Sequence, residues 1–202
     1  MNPNWAEENL QTIRTLMERS ALYRRALAPI MLFAGIMGIL AAAVGLVFHL
    51  NSPSEFVGLW LGTAAVVVIG ALLITRRQAL KEHDVFWSPP TRRVAQALAP
   101  PLAAGLVLGV LFFRAWVFPP FIWVFFYGCA LHAAGFFMSR GVRLFGWIYI
   151  CLGTFVLATF LAVQPKNLNL LWLHWFMGSF FGLLHLAYGA YLYVTEKGKN
   201  AA

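Results

Sequence analysis

Four histidines lie inside or at the ends of apolar stretches, where an ionisable side chain is costly and therefore informative. They are His49, His132, His174 and His185. His174 and His185 are eleven residues apart. On one helix this spacing places them within about 20° of each other and about 16 Å apart along the axis. His49 falls near the expected depth of His174, and His132 near that of His185, so the spacing predicts two histidine pairs at two depths.

Two interpretations of these histidines stay open. Facing helices of a bundle can hold haem b between paired axial imidazoles, so His49 with His174 and His132 with His185 would be ligands in a membrane redox protein. Alternatively, each imidazole is neutral and hydrogen-bonded to a backbone carbonyl or to a hydroxyl of the next helix. No His or Cys spacing predicts a metal site, and both cysteines lie in apolar spans, where we expect them to pack.

The composition predicts a protein that is embedded in a lipid bilayer. Of the 202 residues, 61% are hydrophobic and only 11% are charged. A soluble domain has about one half apolar and one quarter charged residues. The net charge of +8 would suit nucleic acid, but the basic residues lie beside the apolar stretches, where membrane orientation explains them. We therefore expect no nucleic-acid partner.

Apolar stretches of about twenty residues predict an all-α bundle of six transmembrane helices, because a helix of that length crosses the hydrocarbon layer. The predicted spans are 27–49, 56–75, 99–118, 120–138, 144–164 and 171–194. We expect an amphipathic cytoplasmic helix within 1–26 before them and a cytoplasmic tail over 195–202 after them. In the loop 76–98, the sequence predicts a short helix over 89–98 that ends at Pro100 and Pro101.

Charge and aromatic patterns predict the orientation of these spans. Of the 15 Lys and Arg residues, all but Arg114 and Lys166 fall in the N-terminal segment, the alternate loops or the tail. The positive-inside rule then places both termini in the cytoplasm, with the chain in the inner (plasma) membrane. Tryptophans near the opposite ends of the spans, Trp60 among them, predict an aromatic belt.

Glycines four residues apart occur at Gly58/Gly62, Gly105/Gly109 and Gly178/Gly182. Small residues at this spacing let two helix backbones approach closely in lipid. They indicate either packing within one bundle or the interface of a homo-oligomer.

The stretches IRTLMERSALYRRAL and FWSPPTRRVAQAL resemble a family of small multi-pass bacterial membrane proteins with no known activity. The resemblance implies no substrate, cofactor or site residue. It implies that the cytoplasmic face is the distinctive part of the chain.

The motifs favour a non-enzymatic function. The sequence has no phosphate-binding loop, nucleophile elbow, HExxH or CxxC, and its seven acidic residues lie outside the spans or at their edges. We expect an accessory or sensory subunit that binds a protein partner on its cytoplasmic face. The expected contacts are Leu10, Ile13, Met17, Trp87, Arg92 and Arg93.

A transporter or channel for a small neutral solute is the alternative to a partner-binding subunit. It would need a path across the membrane that is lined by polar groups. The span residues His132, Thr154, Thr159 and Ser179 are the candidates for such a lining.

Overall fold

The computed structural model describes residues 26–81, 83, 85–163 and 169–200, and it describes side chains as far as residue 195. The predicted N-terminal amphipathic helix, with Leu10, Ile13 and Met17, lies outside the described residues.

The described chain forms six helices joined by short connections. They are α1 (Ala26–Val47), α2 (Pro53–Lys81), α3 (Pro89–Leu111), α4 (Phe118–Ala134), α5 (Arg140–Val163) and α6. Helix α6 has three consecutive parts, which are Leu170–Met177, the π-helical Gly178–Leu184 and His185–Asn200. Five of these helices are long and apolar enough to cross a bilayer, and α4 is apolar with 17 residues. The predicted helical bundle is confirmed: the described residues form helices and no strand, and the chain is a multi-pass membrane protein.

A capping box starts α2 three residues before the predicted span. The Ser52 backbone N–H donates to the Glu55 carboxylate at 3.1 Å, and the Glu55 backbone N–H donates to the Ser52 hydroxyl at 3.3 Å. This reciprocal pair satisfies backbone donors that the helix itself leaves free. It also fixes the tight connection after α1, which carries the Leu50 carbonyl.

The predicted break at Pro100 and Pro101 is wrong, because both prolines lie inside the continuous helix Pro89–Leu111. Proline removes the backbone donor for the carbonyl four residues earlier, here those of Gln96 and Ala97. A span tolerates such a loss when neighbouring groups or water satisfy the freed carbonyls. The third span therefore begins near residue 89, and its helix ends at Leu111 rather than at 118.

Glycines bring α1 and α6 into backbone contact. A Cβ added to Gly38 would overlap the backbone of Phe181, and one added to Gly35 would lie 2.7 Å from the Leu186 nitrogen. A Cβ on Gly182 would lie 2.7 Å from the Ile39 side chain. The α1–α6 seam is therefore closed against any larger residue at these positions.

The three predicted glycine pairs have different surroundings. Gly178/Gly182 packs against α1, and Gly105/Gly109 packs against Phe126 and Trp123 of α4, so both serve contacts within the chain. Gly58 and Gly62 of α2 have nothing within 4 Å of an added Cβ. The Gly58/Gly62 pair alone is open among the three, and the predicted homo-oligomer stays a prediction.

Helix α2 lies at the edge of the bundle. Of the 18 most apolar consecutive residues of α2, 6% are buried in the bundle, whereas 50% are buried in the corresponding segment of α6. Helix α4, by contrast, packs closely against both α3 and α5. Among the described residues, the backbones of α2 and α3 do not pack closely against each other.

Candidate functional site

Both nitrogens of the His174 ring are engaged by groups of other helices. The Trp60 indole N–H donates to Nδ1 at 3.2 Å, and Nε2 lies 3.1 Å from the Leu50 carbonyl. An indole nitrogen can only donate and a carbonyl can only accept. His174 is therefore neutral, with its proton on Nε2.

The surroundings of His174 leave it no room to move. The side chain is fully buried, the Phe56 ring centroid is 4.9 Å from its own, and a Cβ added to Gly45 would overlap the imidazole. The ring therefore ties α6 to α2 and to the end of α1.

His185 belongs to a chain of hydrogen bonds with a single direction. The Tyr149 hydroxyl donates its proton to the Phe180 carbonyl. The contact of 2.9 Å between Tyr149 and Nδ1 of His185 must then be a bond that Nδ1 donates. In a neutral ring this leaves Nε2 as the acceptor of the Tyr127 hydroxyl at 2.6 Å. The proton of His185 is on Nδ1, opposite to that of His174.

The neutral state of His185 follows from its surroundings. The residue is 2% exposed, and aromatic rings pack around it, those of Tyr127, Tyr149, Phe145 and Phe181. A charge in the middle of a span costs about 3 kcal/mol or more. A neutral imidazole with two tyrosine partners avoids that cost.

The π-helical part of α6 provides the acceptor at the end of this chain. A π-helical turn is wider than an α-helical one and often marks a functional position. After it, the His185 backbone N–H bonds to the Gly182 carbonyl, and the Phe180 carbonyl receives the Tyr149 hydroxyl. The irregular turn thus fixes the tautomer of the histidine that follows it.

A cavity of about 620 Å³ lies beside His185 and is walled by α1, α2, α3, α4 and α6. Most of its lining is aliphatic or aromatic, and the polar side chains in its wall are Trp60, Thr63, Trp123, Tyr127 and His185. Both α2 and α3 line the cavity, and among the described residues their backbones do not pack closely against each other.

Most donors in this wall are already used. The Thr63 hydroxyl donates to the Leu59 carbonyl at 2.8 Å, and Trp60 donates to His174. The Tyr127 proton is on the bond to His185. The indole nitrogen of Trp123, which is 9% exposed, has no hydrogen-bond partner among the described residues.

The structure places the four predicted histidines in different environments. His49 is exposed at the end of α1 with φ 49°, and His132 packs against the Phe136 and Trp147 rings. The described hydrogen bonds and ring contacts join neither predicted pair. His174 and His185 have the hydrogen-bond partners that the second interpretation expects, a carbonyl and hydroxyls. Either ring would have to give up a bond to ligate iron, and haem b stays a prediction.

The other predicted site residues do not enter the cavity wall. Thr159 and Ser179 donate to carbonyls of their own helices, at Phe155 and Trp175, and Thr154 is exposed on the bundle surface. Trp87, Arg92 and Arg93 are exposed at and before the start of α3.

Sequence reasoning missed Tyr127, Tyr149 and the role of Trp60. Each tyrosine lies well inside a helix, about 14 Å from its start, where a hydroxyl must find a partner within the protein. The position of each tyrosine deep inside a span was the sequence feature that could have identified it. Trp60 was expected in an aromatic belt, but it is 4% exposed and holds His174.

No protein-family model, no curated protein and no solved structure matches this chain.

Proposed function

We propose that this membrane protein binds a small, largely apolar, lipid-soluble molecule in the cavity that α2 and α3 both line, with the ligand's polar group at Tyr127. The observation that carries the proposal is the cavity itself. It has about 620 Å³ of space, an apolar wall and a few converging polar groups. Ligand sites in proteins commonly have volumes of about 300–1,000 Å³ and this kind of lining.

The packing around the cavity supports the same function. The α1–α6 seam and the His174 contacts hold the back wall, whereas α2 has few neighbours along its length. A rigid wall with preplaced polar groups lowers the entropy that a ligand loses on binding. The loose packing of α2 against α3 gives molecules that are dissolved in the bilayer a route into the cavity.

The test measures saturable binding of tritiated para-octylphenol, a small amphiphile, to the purified protein in detergent. Ala64 lines the cavity, whereas its neighbour Val66 is 45% exposed and does not line it. We expect the native chain and Val66→Phe to bind the probe saturably, and Ala64→Phe to lose most of that binding. Equal binding by the two variants, or no saturable binding by the native chain, would contradict the proposal.

We also propose that the chain lies in the plasma membrane with its basic end in the cytoplasm. Arg76, Arg77 and Lys81 end α2, and Arg140 and Arg143 begin α5, so these charges share one end of the bundle. Reporter tags at the two termini should both read out from the cytoplasm. A tag that reports from the other side would reject this topology.

A second proposal is a protein partner at the basic end, where the structure has a fixed and exposed tryptophan. Thr91 donates to the Phe86 carbonyl at 3.0 Å, and its hydroxyl is 2.9 Å from that of Ser88. These bonds order the turn before α3 while Trp87 stays 55% exposed beside Arg92 and Arg93. Exposed aromatic and arginine side chains are the types that dominate protein interfaces.

Purification from native expression levels in mild detergent tests this second proposal. A protein should co-purify with the native chain and be lost from Trp87→Ala. Recovery of the native chain alone would contradict the proposal and would leave lipid headgroups as the neighbours of Trp87.

A further inference from the structure

We infer that the polar group of the cavity's ligand is a hydroxyl, as in a lipid-soluble alcohol or phenol, rather than a carbonyl or an ether. The inference rests on the proposed function, because it names the class of molecule that the same cavity takes. It follows from the direction of the hydrogen bonds that end in the cavity wall.

The first step concerns Tyr127, the member of the His185 chain that lines the cavity. Tyr149 gives its proton to the Phe180 carbonyl, so Nδ1 of His185 donates to Tyr149 and Nε2 accepts from Tyr127. The Tyr127 oxygen has then used its only proton. What remains on it for a ligand is acceptor capacity.

The second step concerns Thr63, which is on another helix and reaches the same state independently. Thr63 is in the cavity wall and its hydroxyl donates to the Leu59 carbonyl, so its oxygen also has only acceptor capacity left. His185 has no free nitrogen to offer either, and the Trp60 indole donates to His174. The polar wall on these helices therefore calls for a ligand that donates.

The third step concerns the Trp123 indole, whose nitrogen lies against Gly109 of α3 rather than in the cavity lining, so it supplies no donor to a ligand. The Trp123 indole N–H is unpartnered among the described residues and belongs to a side chain that is more than nine-tenths buried. A hydroxyl donates, so it suits a wall in which the oxygens of Tyr127 and Thr63 have only acceptor capacity left.

A carbonyl or ether oxygen would meet the Tyr127 oxygen without a proton between them. Tyr127 could turn its proton to such a ligand only by leaving Nε2 of His185 unpaired in a buried site. An unpaired buried acceptor of this kind weakens binding by about tenfold. A hydroxyl ligand and its methyl ether should therefore differ in affinity by about that factor.

Competition against tritiated para-octylphenol tests the inference with a matched pair, unlabelled para-octylphenol and its methyl ether, para-octylanisole. The two share the ring and the alkyl chain, and only the phenol donates. We expect the phenol to compete at about tenfold lower concentration than the ether. Equal competition would overturn the hydroxyl inference and leave the proposed binding function intact. Absence of any saturable binding would overturn both.

Two variants connect the preference to the hydrogen-bond chain. In His185→Phe, Tyr127 loses its acceptor and is free to donate, so the preference for the phenol should fall to about twofold or less. In Tyr149→Phe, Nδ1 of His185 still faces the Phe180 carbonyl at 3.4 Å, so the tautomer and the preference should survive. If Tyr149→Phe lost the preference for the phenol and His185→Phe kept it, the proposed direction of the hydrogen bonds would be contradicted. The competition on the native protein tests the inference even where a variant does not fold.

Discussion

His174 and His185 are on the same helix, both almost completely buried, and yet they carry their protons on opposite nitrogens. At His174, the partners are an indole that only donates and a carbonyl that only accepts. At His185, the partners are two tyrosine hydroxyls, which can do either. The difference shows that the neighbours of a membrane histidine, rather than its burial, decide what it can do.

The start of α6, around His174, and its middle, around His185, accordingly have different roles in the molecule. The His174 end is closed, because every polar atom of the ring is bonded to a fixed group and glycines bring α1 against it. The hydrogen bonds of His185 continue to Tyr127 in the wall of an open cavity. The His174 region holds helices together, and the His185 region carries the hydroxyl oxygen of Tyr127 in the cavity wall.

Gly45→Ala should have the largest effect on stability, because the new methyl group would overlap the His174 ring, which its two hydrogen bonds hold in place. We expect a loss of about 2–4 kcal/mol in the free energy of unfolding, from overpacking together with a broken buried bond. Denaturant unfolding of the purified protein in micelles measures it.

Gly58→Ala is the matched control for that change. It makes the same substitution on α2, where an added Cβ has nothing within 4 Å. It should change the unfolding free energy by less than about 0.5 kcal/mol. Similar losses in both variants would mean that the His174 end is not the tighter region.

Trp60→Phe should have a smaller effect on stability, because it keeps most of the ring's packing and removes only the donor to Nδ1 of His174. A buried acceptor without a partner costs about 1–3 kcal/mol. Trp175→Phe is the control, since Trp175 is 65% exposed on the same helix as His174, and it should change stability by less than about 0.5 kcal/mol. If the two variants unfolded alike in micelles, the Trp60–His174 bond would not contribute to the closed end.

Much of the fold could be predicted from the sequence, because each membrane span must be long, apolar and helical whatever its neighbours are. The glycine pairs also predicted close helix packing. Which pair brings α1 against α6 depends on how the helices are arranged, and the sequence does not give that arrangement. Pro100 and Pro101 misled the prediction of α3, because a proline that ends a helix in water is tolerated inside a span.

The site could be predicted only in part. The sequence identified His174 and His185 as the buried polar residues to explain, and it offered hydrogen bonding to hydroxyls and carbonyls as one explanation. It could not supply Tyr127, Tyr149 or Trp60 as partners, because those contacts join residues 31 to 114 positions apart. The π-helical turn that contains the Phe180 carbonyl likewise has no spacing signature in GSFFGLL.

The most direct test of the opposite tautomers is NMR of ring-labelled histidine nitrogens in the purified protein, with His174→Gln and His185→Phe to assign the signals. The bonded proton should be on Nε2 in His174 and on Nδ1 in His185, with both rings neutral at pH 7. The same tautomer at both positions, or a doubly protonated His185, would contradict the hydrogen bonds assigned to the two histidines and the class of ligand inferred for the cavity.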